Sequence, residues 1–188
     1  MLLRSCISLF LCGFLLQAVG QDNFRESYRA KIRDEFPNTV QDFYAINARF
    51  DVQASYRLKK KGKIIAVPTS ADQIKNYREY ATLSFKIEGK KHRLTVYQPL
   101  PVLPLYRDLL FLPLKDLTAP AETYGGGRYL DLNRNDFSDG TVRLDFNRLY
   151  NPYCAFSDGW NCPIPPRANH LEIRLEAGEK IPLKTEYD

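Results

Sequence analysis

Residues 81–98 read ATLSFKIEGKKHRLTVYQ, and two antiparallel strands are written in them. Ala81, Leu83, Phe85 and Ile87 alternate with Thr82, Ser84, Lys86 and Glu88, the period of a strand with one apolar face. The turn Glu88, Gly89, Lys90 hands the chain to a returning strand, His92 to Gln98, which carries Leu94 and Val96. A hairpin with one wet face is the unit from which the fold is read.

Upstream, Phe50, Val52, Ala54 and Tyr56 alternate with Asp51, Gln53, Ser55 and Arg57; Lys60, Lys61 and Gly62 make a turn, and Lys63 to Val67 return as a hairpin partner. Before them, Phe24, Tyr28, Ile32 and Phe36 recur every fourth residue among charged neighbours. That spacing predicts a helix with a narrow apolar stripe, capped by Asp22 or Asn23 and stopped by Pro37. Downstream, Pro99, Pro101, Pro104 and Pro113 rule out a central strand over 99–113, because proline cannot donate to a ladder. This stretch is expected to cross one mouth of the sheet, as a core-covering loop or a lid, with Leu109 to Leu112 as a short strand. Arg128 to Leu132 and Thr141 to Phe146 flank the turn Ser138, Asp139, Gly140, and Leu171, Ile173 and Leu175 mark a last strand. The fold class is mainly β: an antiparallel barrel or sandwich of about eight short strands with an N-terminal helix.

Met1 to Arg4, a short apolar run to Leu16, and Ala18, Val19, Gly20 before a polar segment have the layout of a secretory signal peptide over residues 1–20. The run is too short for a stable membrane span. The remaining segment, 21–188, is expected to be one β-rich domain, exported to the periplasm or secreted. Only Cys154 and Cys162 stay with it, and in an oxidising compartment they are expected to form a disulfide that shapes a small loop. The net charge of +5 is modest, and its lysines gather at turns without interleaved aromatics, which argues against nucleic acid as a partner. No cofactor motif is present, and the two histidines and two remaining cysteines lack zinc spacing. Asp131, Asn133, Asn135, Asp136 and Asp139 alternate like a calcium loop but lack its glycine and glutamate, so a polar loop is the default and no metal is assigned.

The densest candidate chemistry runs from Tyr124 to Lys180. Gly125, Gly126 and Gly127 leave backbone amides uncovered for an anion, with Arg128 adding a fork of donors. The alternative is a close backbone approach with Arg128 paired to a buried carboxylate such as Asp145. Asp145, Asn147, Arg148 and Asn151 could converge on a pocket lined by Tyr150, Tyr153, Phe156 and Trp160, suited to a sugar or peptidoglycan fragment. Equally, Asn and Asp there could satisfy their own turns.

The segments TYGGGRYLDL, LDFNRLYNPYCAF, NCPIPP and AGEK resemble a bacterial uncharacterised family catalogued as domain of unknown function 1684. The resemblance is dense over residues 109–180 and looser over 43–98. Members of that family carry a phenylalanine where this chain has Leu114 and a glycine where it has Pro120, whereas Asp116, Thr118 and Glu122 are kept. The resemblance implies a domain and a motif, and no reaction.

Two functions are therefore weighed, beside a purely structural role for the motif. One is an exported domain binding a small polar or anionic ligand, an envelope sugar or related, at Gly125, Gly126, Gly127, Arg128, Asp145, Asn147, Arg148 and Asn151. The other is a hydrolase of an envelope component with Asp145, Glu122 or Glu179 as acid or base. Two carboxylates converging on an open cleft would favour the second. The expected partner is a small-molecule or envelope ligand; the sequence leaves the oligomeric state open.

Overall fold

The structure is a computed structural model that describes residues 23–184. The signal-peptide reading, with Cys6 and Cys12, falls outside the described residues. Residues 23–35 form helix α1, with Ile32 of the predicted stripe buried. Nine strands follow: β1 Thr39–Val40, β2 Asp51–Leu58, β3 Ile64–Pro68, β4 Ile74–Ile87, β5 Lys90–Pro99, β6 Leu109–Leu114, β7 Arg128–Asn133, β8 Thr141–Asp145 and β9 Leu183–Lys184. Seven make one antiparallel sheet in the order β7-β6-β5-β4-β2-β8, with β3 also on β4; β1 and β9 pair separately. The sheet is a curled half-barrel.

The β4–β5 hairpin pairs Leu83 with Leu94 and Ile87 with Lys90, as the alternation requires. Its inner face, with Ala81, Leu83, Phe85, Leu94 and Val96, joins Leu110, Leu112, Leu130, Val142 and Leu144 in the main core. Burying each leucine there contributes about 1.5–3 kcal/mol.

Five expectations change. β3 pairs with the first half of β4, not with β2, because the linking turn runs against β4; a side chain at Gly62 would lie 1.8 Å from the Glu79 carbonyl oxygen. β7 and β8 are not partners and lie on opposite edges of the sheet. Asn133 caps a 3-10 turn, Arg134–Asp136, whose Arg134 N–H bonds Asp108 O at 2.9 Å, and this sends the chain across the sheet end. β6 continues through Pro113, which is tolerated because β6 meets β5 only at Tyr97 and Phe111. Beyond that pair Asn169 fills the split: its Oδ1 accepts from Thr95 N at 2.7 Å, and its Nδ2 donates to Thr95 O at 2.8 Å and Pro113 O at 2.7 Å. Finally, residues 171–177 form an extended strap and not a strand, and the 99–108 loop covers no core: Leu103, Leu105 and Tyr106 are exposed.

A register shift between Glu79 and Ala81 gives the sheet a second apolar face. Upstream of this bulge Tyr77 points outward, where it clusters with Tyr97, Phe111 and Tyr129. Helix α1 brings Phe24 and Tyr28 to this outer face.

Candidate functional site

The glycine run brings Arg128 into the interior. Gly127 has φ +89°, and a Cβ there would lie 2.7 Å from Leu114 O and 2.6 Å from the Pro165 ring, so the run serves close backbone passage. Arg128, 1 % exposed, donates from Nη2 to Asp116 Oδ2 at 2.8 Å and Leu175 O at 3.0 Å, and from Nη1 to Glu179 O at 3.1 Å and to Ala177 O. The carboxylate partner is Asp116, where the sequence had suggested Asp145. Asp116 Oδ1 in turn accepts from Thr118 N and Oγ1 and from Leu175 N, at 2.9, 2.7 and 3.1 Å. A fully enclosed ion pair with satisfied lone pairs holds the strap onto β7.

Asp145 caps the turn after β8, accepting from Asn147 N at 3.1 Å and Asn147 Nδ2 at 3.0 Å. Asn147, fully buried, reaches across to the Asn47 backbone, accepting its N–H at 2.9 Å and donating to its carbonyl at 3.1 Å. Arg148 is exposed and lies over the Phe24 ring, 4.7 Å from its centroid. Asn151 donates from its backbone N–H to Glu179 Oε2 at 2.7 Å and from Nδ2 to Lys180 O at 2.7 Å. Burial pushes the Glu179 carboxyl up to about 7 against the pull of the Asn151 and Gln41 donors and of Arg128. The predicted set is therefore dispersed: of its members, Asn151 alone lines the cavity described next.

Between α1, the outer sheet face and the disulfide loop lies a cavity of about 550 Å³, within the roughly 300–1,000 Å³ of small-molecule sites. Tyr77, Phe111 and Tyr129 form its floor, Phe24 and Tyr28 one wall, and Tyr150, Tyr153 and Trp160 the other. The rings pack as tilted and edge contacts: Phe111 to Tyr129 at 4.7 Å, Tyr28 to Tyr150 at 5.4 Å, Tyr153 to Trp160 at 4.7 Å. The Cys154–Cys162 disulfide, with Cα atoms 6.2 Å apart, closes the loop that carries Trp160 and Asn161. Tyr129 Oη donates to Pro163 O at 2.6 Å, tying the far end of that loop to the floor.

Asp131 is the carboxyl of this lining. It keeps solvent-accessible surface, but that surface opens on a concave wall, and the protein packed around it raises the carboxyl above the usual aspartate range. The Tyr150 hydroxyl bonded to it, and Lys31 and Arg148 nearby, pull the other way. Burial and the adjacent Asp131 push Tyr150 well above the ordinary phenol range. Lys31 and Lys75 stand exposed at the mouth; Lys31 lies over the Tyr153 ring, 5.3 Å from its centroid, and Lys75 Nζ donates to Asn161 O at 2.7 Å. Asn151 Oδ1 and Asn161 Oδ1 are buried with no donor among the described residues.

Sequence reasoning named Asn151, Tyr150, Tyr153 and Trp160 in this lining. Phe156 lies instead behind Phe36, stacked at 5.2 Å. It missed Lys31, Lys75 and the floor, and it read Asp131 only as part of a polar loop, whose Asp136 in fact caps Asn133 N at 2.7 Å. The available signal was the outward aromatics Phe111 and Tyr129 in strands whose inward leucines already filled the core.

An open, curled antiparallel sheet with an N-terminal helix across its outer face and a disulfide-closed loop beside it defines a β half-barrel with one aromatic cavity. The chain belongs to the family described as "Protein of unknown function (DUF1684)", whose model matches residues 36–180. It is similar in structure to an uncharacterized protein of Haloarcula marismortui solved by solution NMR, with 31 % identity, TM-score 0.64, and coverage of 92 % of this chain and 96 % of that one. Among curated proteins nothing matches this chain.

Proposed function

We propose that this protein is an exported binding domain that holds a small polar ring compound, an envelope sugar or a relative of one, in the cavity between α1 and the outer sheet face. The observation that carries this reading is the lining itself: aromatic faces for the ring, beside lysine, asparagine and tyrosine polar groups and one carboxyl for hydroxyl groups. The site sits beside the predicted glycine and arginine motif, which holds the wall in place.

Hydrolysis is less favoured. Glu179 is fully buried behind Asn151, Asp145 caps a turn, and Glu122 is bonded to Arg174 and to Tyr44 Oη at 2.8 Å. Asp131 then stands as the one carboxyl of the cavity lining, where glycoside hydrolysis ordinarily needs two.

Trp160 is the sole tryptophan and lines the cavity, so it reports occupancy. Titrating the oxidised protein with neutral and acidic sugars and peptidoglycan fragments should give a saturable change in its fluorescence and a higher melting temperature. A panel that moves neither signal rejects the reading.

A further inference from the structure

The mouth of the cavity has a sign. Lys31 comes from α1 and Lys75 from β4, and both stand in the cavity lining. Neither has a carboxylate within ion-pair distance among the described residues; the hydrogen-bond partner of Lys75 is the neutral Asn161 carbonyl. Glu35, one turn beyond Lys31, accepts instead from Tyr153 Oη at 3.0 Å. The charges of Glu35 and Asp131 act on Lys31 without pairing with it. The rest of the lining is mainly rings, with Asn151 and Asn161, and Asp131 is its carboxyl.

Neither ammonium is engaged in an ion pair, so an anion entering the opening gains attraction from both without breaking a pair. An anion among the rings would instead meet Asp131. The ligand must therefore be polarised, with a charged end outward and a hydroxyl-bearing ring inward.

Resting on the binding reading above, we infer that the ligand is an acidic sugar, a saccharide with one carboxylate or phosphate group, whose anionic group is held between Lys31 and Lys75 while its ring enters among the aromatics. Lysine suits this task as a movable point charge that takes carboxylate or phosphate alike. The rim attraction makes recognition salt-dependent, whereas ring stacking is not.

The test uses matched pairs read by Trp160 fluorescence on the oxidised protein: glucose with glucuronic acid, galactose with galacturonic acid, N-acetylglucosamine with N-acetylmuramic acid, and glucose with glucose 6-phosphate. The acidic member of at least one pair should bind about tenfold more tightly at low salt. That preference should vanish in Lys31→Gln/Lys75→Gln and shrink with added salt. Whether the carboxylate or the phosphate member leads distinguishes the two sources. Equal binding within every pair, or an acidic preference that survives the double substitution, overturns the inference and leaves the binding reading standing. Absence of any saccharide signal overturns both.

Discussion

Arg128 and the aromatic cavity both set polar groups among apolar ones, and they differ in saturation. Around Arg128 the ion pair with Asp116 is capped by Thr118 and by the strap carbonyls of Leu175, Ala177 and Glu179, and of its guanidinium nitrogens Nε alone has no acceptor among the described residues. Around the cavity Lys31 and Lys75 form no ion pair among the described residues, two asparagine oxygens lack donors, and Asp131 opens on the hollow. Satisfied burial holds a fold together; unsatisfied, half-open polarity leaves something for a ligand to do.

The contrast breaks most readily at Arg128. Arg128→Ala should strand the Asp116 carboxylate and cost about 3–5 kcal/mol, read as a lowered urea midpoint. A loss within the range of an ordinary surface change would mean that the knot does not hold the strap. Next comes Glu179. Its carboxyl, pushed up to about 7 from 4.5, binds its proton more tightly folded than unfolded, so its stabilising contribution is complete below pH 4.5 and is lost as pH rises through 7. The stability of Glu179→Gln relative to the parent should therefore rise over that window, by roughly 3 kcal/mol at 1.36 per unit; a flat difference between pH 4 and 8 contradicts it.

On the cavity side the costs fall. Tyr129→Phe removes the hydroxyl donated to Pro163 and should cost about 1–3 kcal/mol, measurable as a melting shift with the sheet's circular dichroism unchanged. Lys31→Gln and Lys75→Gln should stay within about 0.5 kcal/mol of the parent, since neither forms an ion pair. A large destabilisation by either would move these lysines to the structural side of the comparison.

The strand pair at 81–98 and the helix stripe were legible because their side chains keep strict periods against one packed face. Leu171, Ile173 and Leu175 keep the same period yet form no strand. Leu175 donates its N–H to Asp116 Oδ1 and accepts from Arg128 Nη2, so side chains replace part of the ladder that alternation alone implies. Likewise the half-burial of Phe24 and Tyr28 arises because their stripe faces a hollow, which spacing cannot distinguish from a full contact. Lys31 and Lys75 were illegible as a pair: they are 44 positions apart, and only the bulge in β4 and the seating of α1 bring them to one opening.

The bulge between Glu79 and Ala81 makes the length of β4 carry information that no single residue identity does. Exchanging Tyr80 for another residue leaves the parity of the strand intact. Drawing it into a regular ladder would turn residues 74–79 over together, facing Tyr77 and Lys75 toward the main core and presenting Asn76 and Arg78 to the cavity. The lineage of this domain should thus keep the bulge while its letters change. A regular ladder through Tyr80 would erase the cavity while leaving every letter of its lining in place.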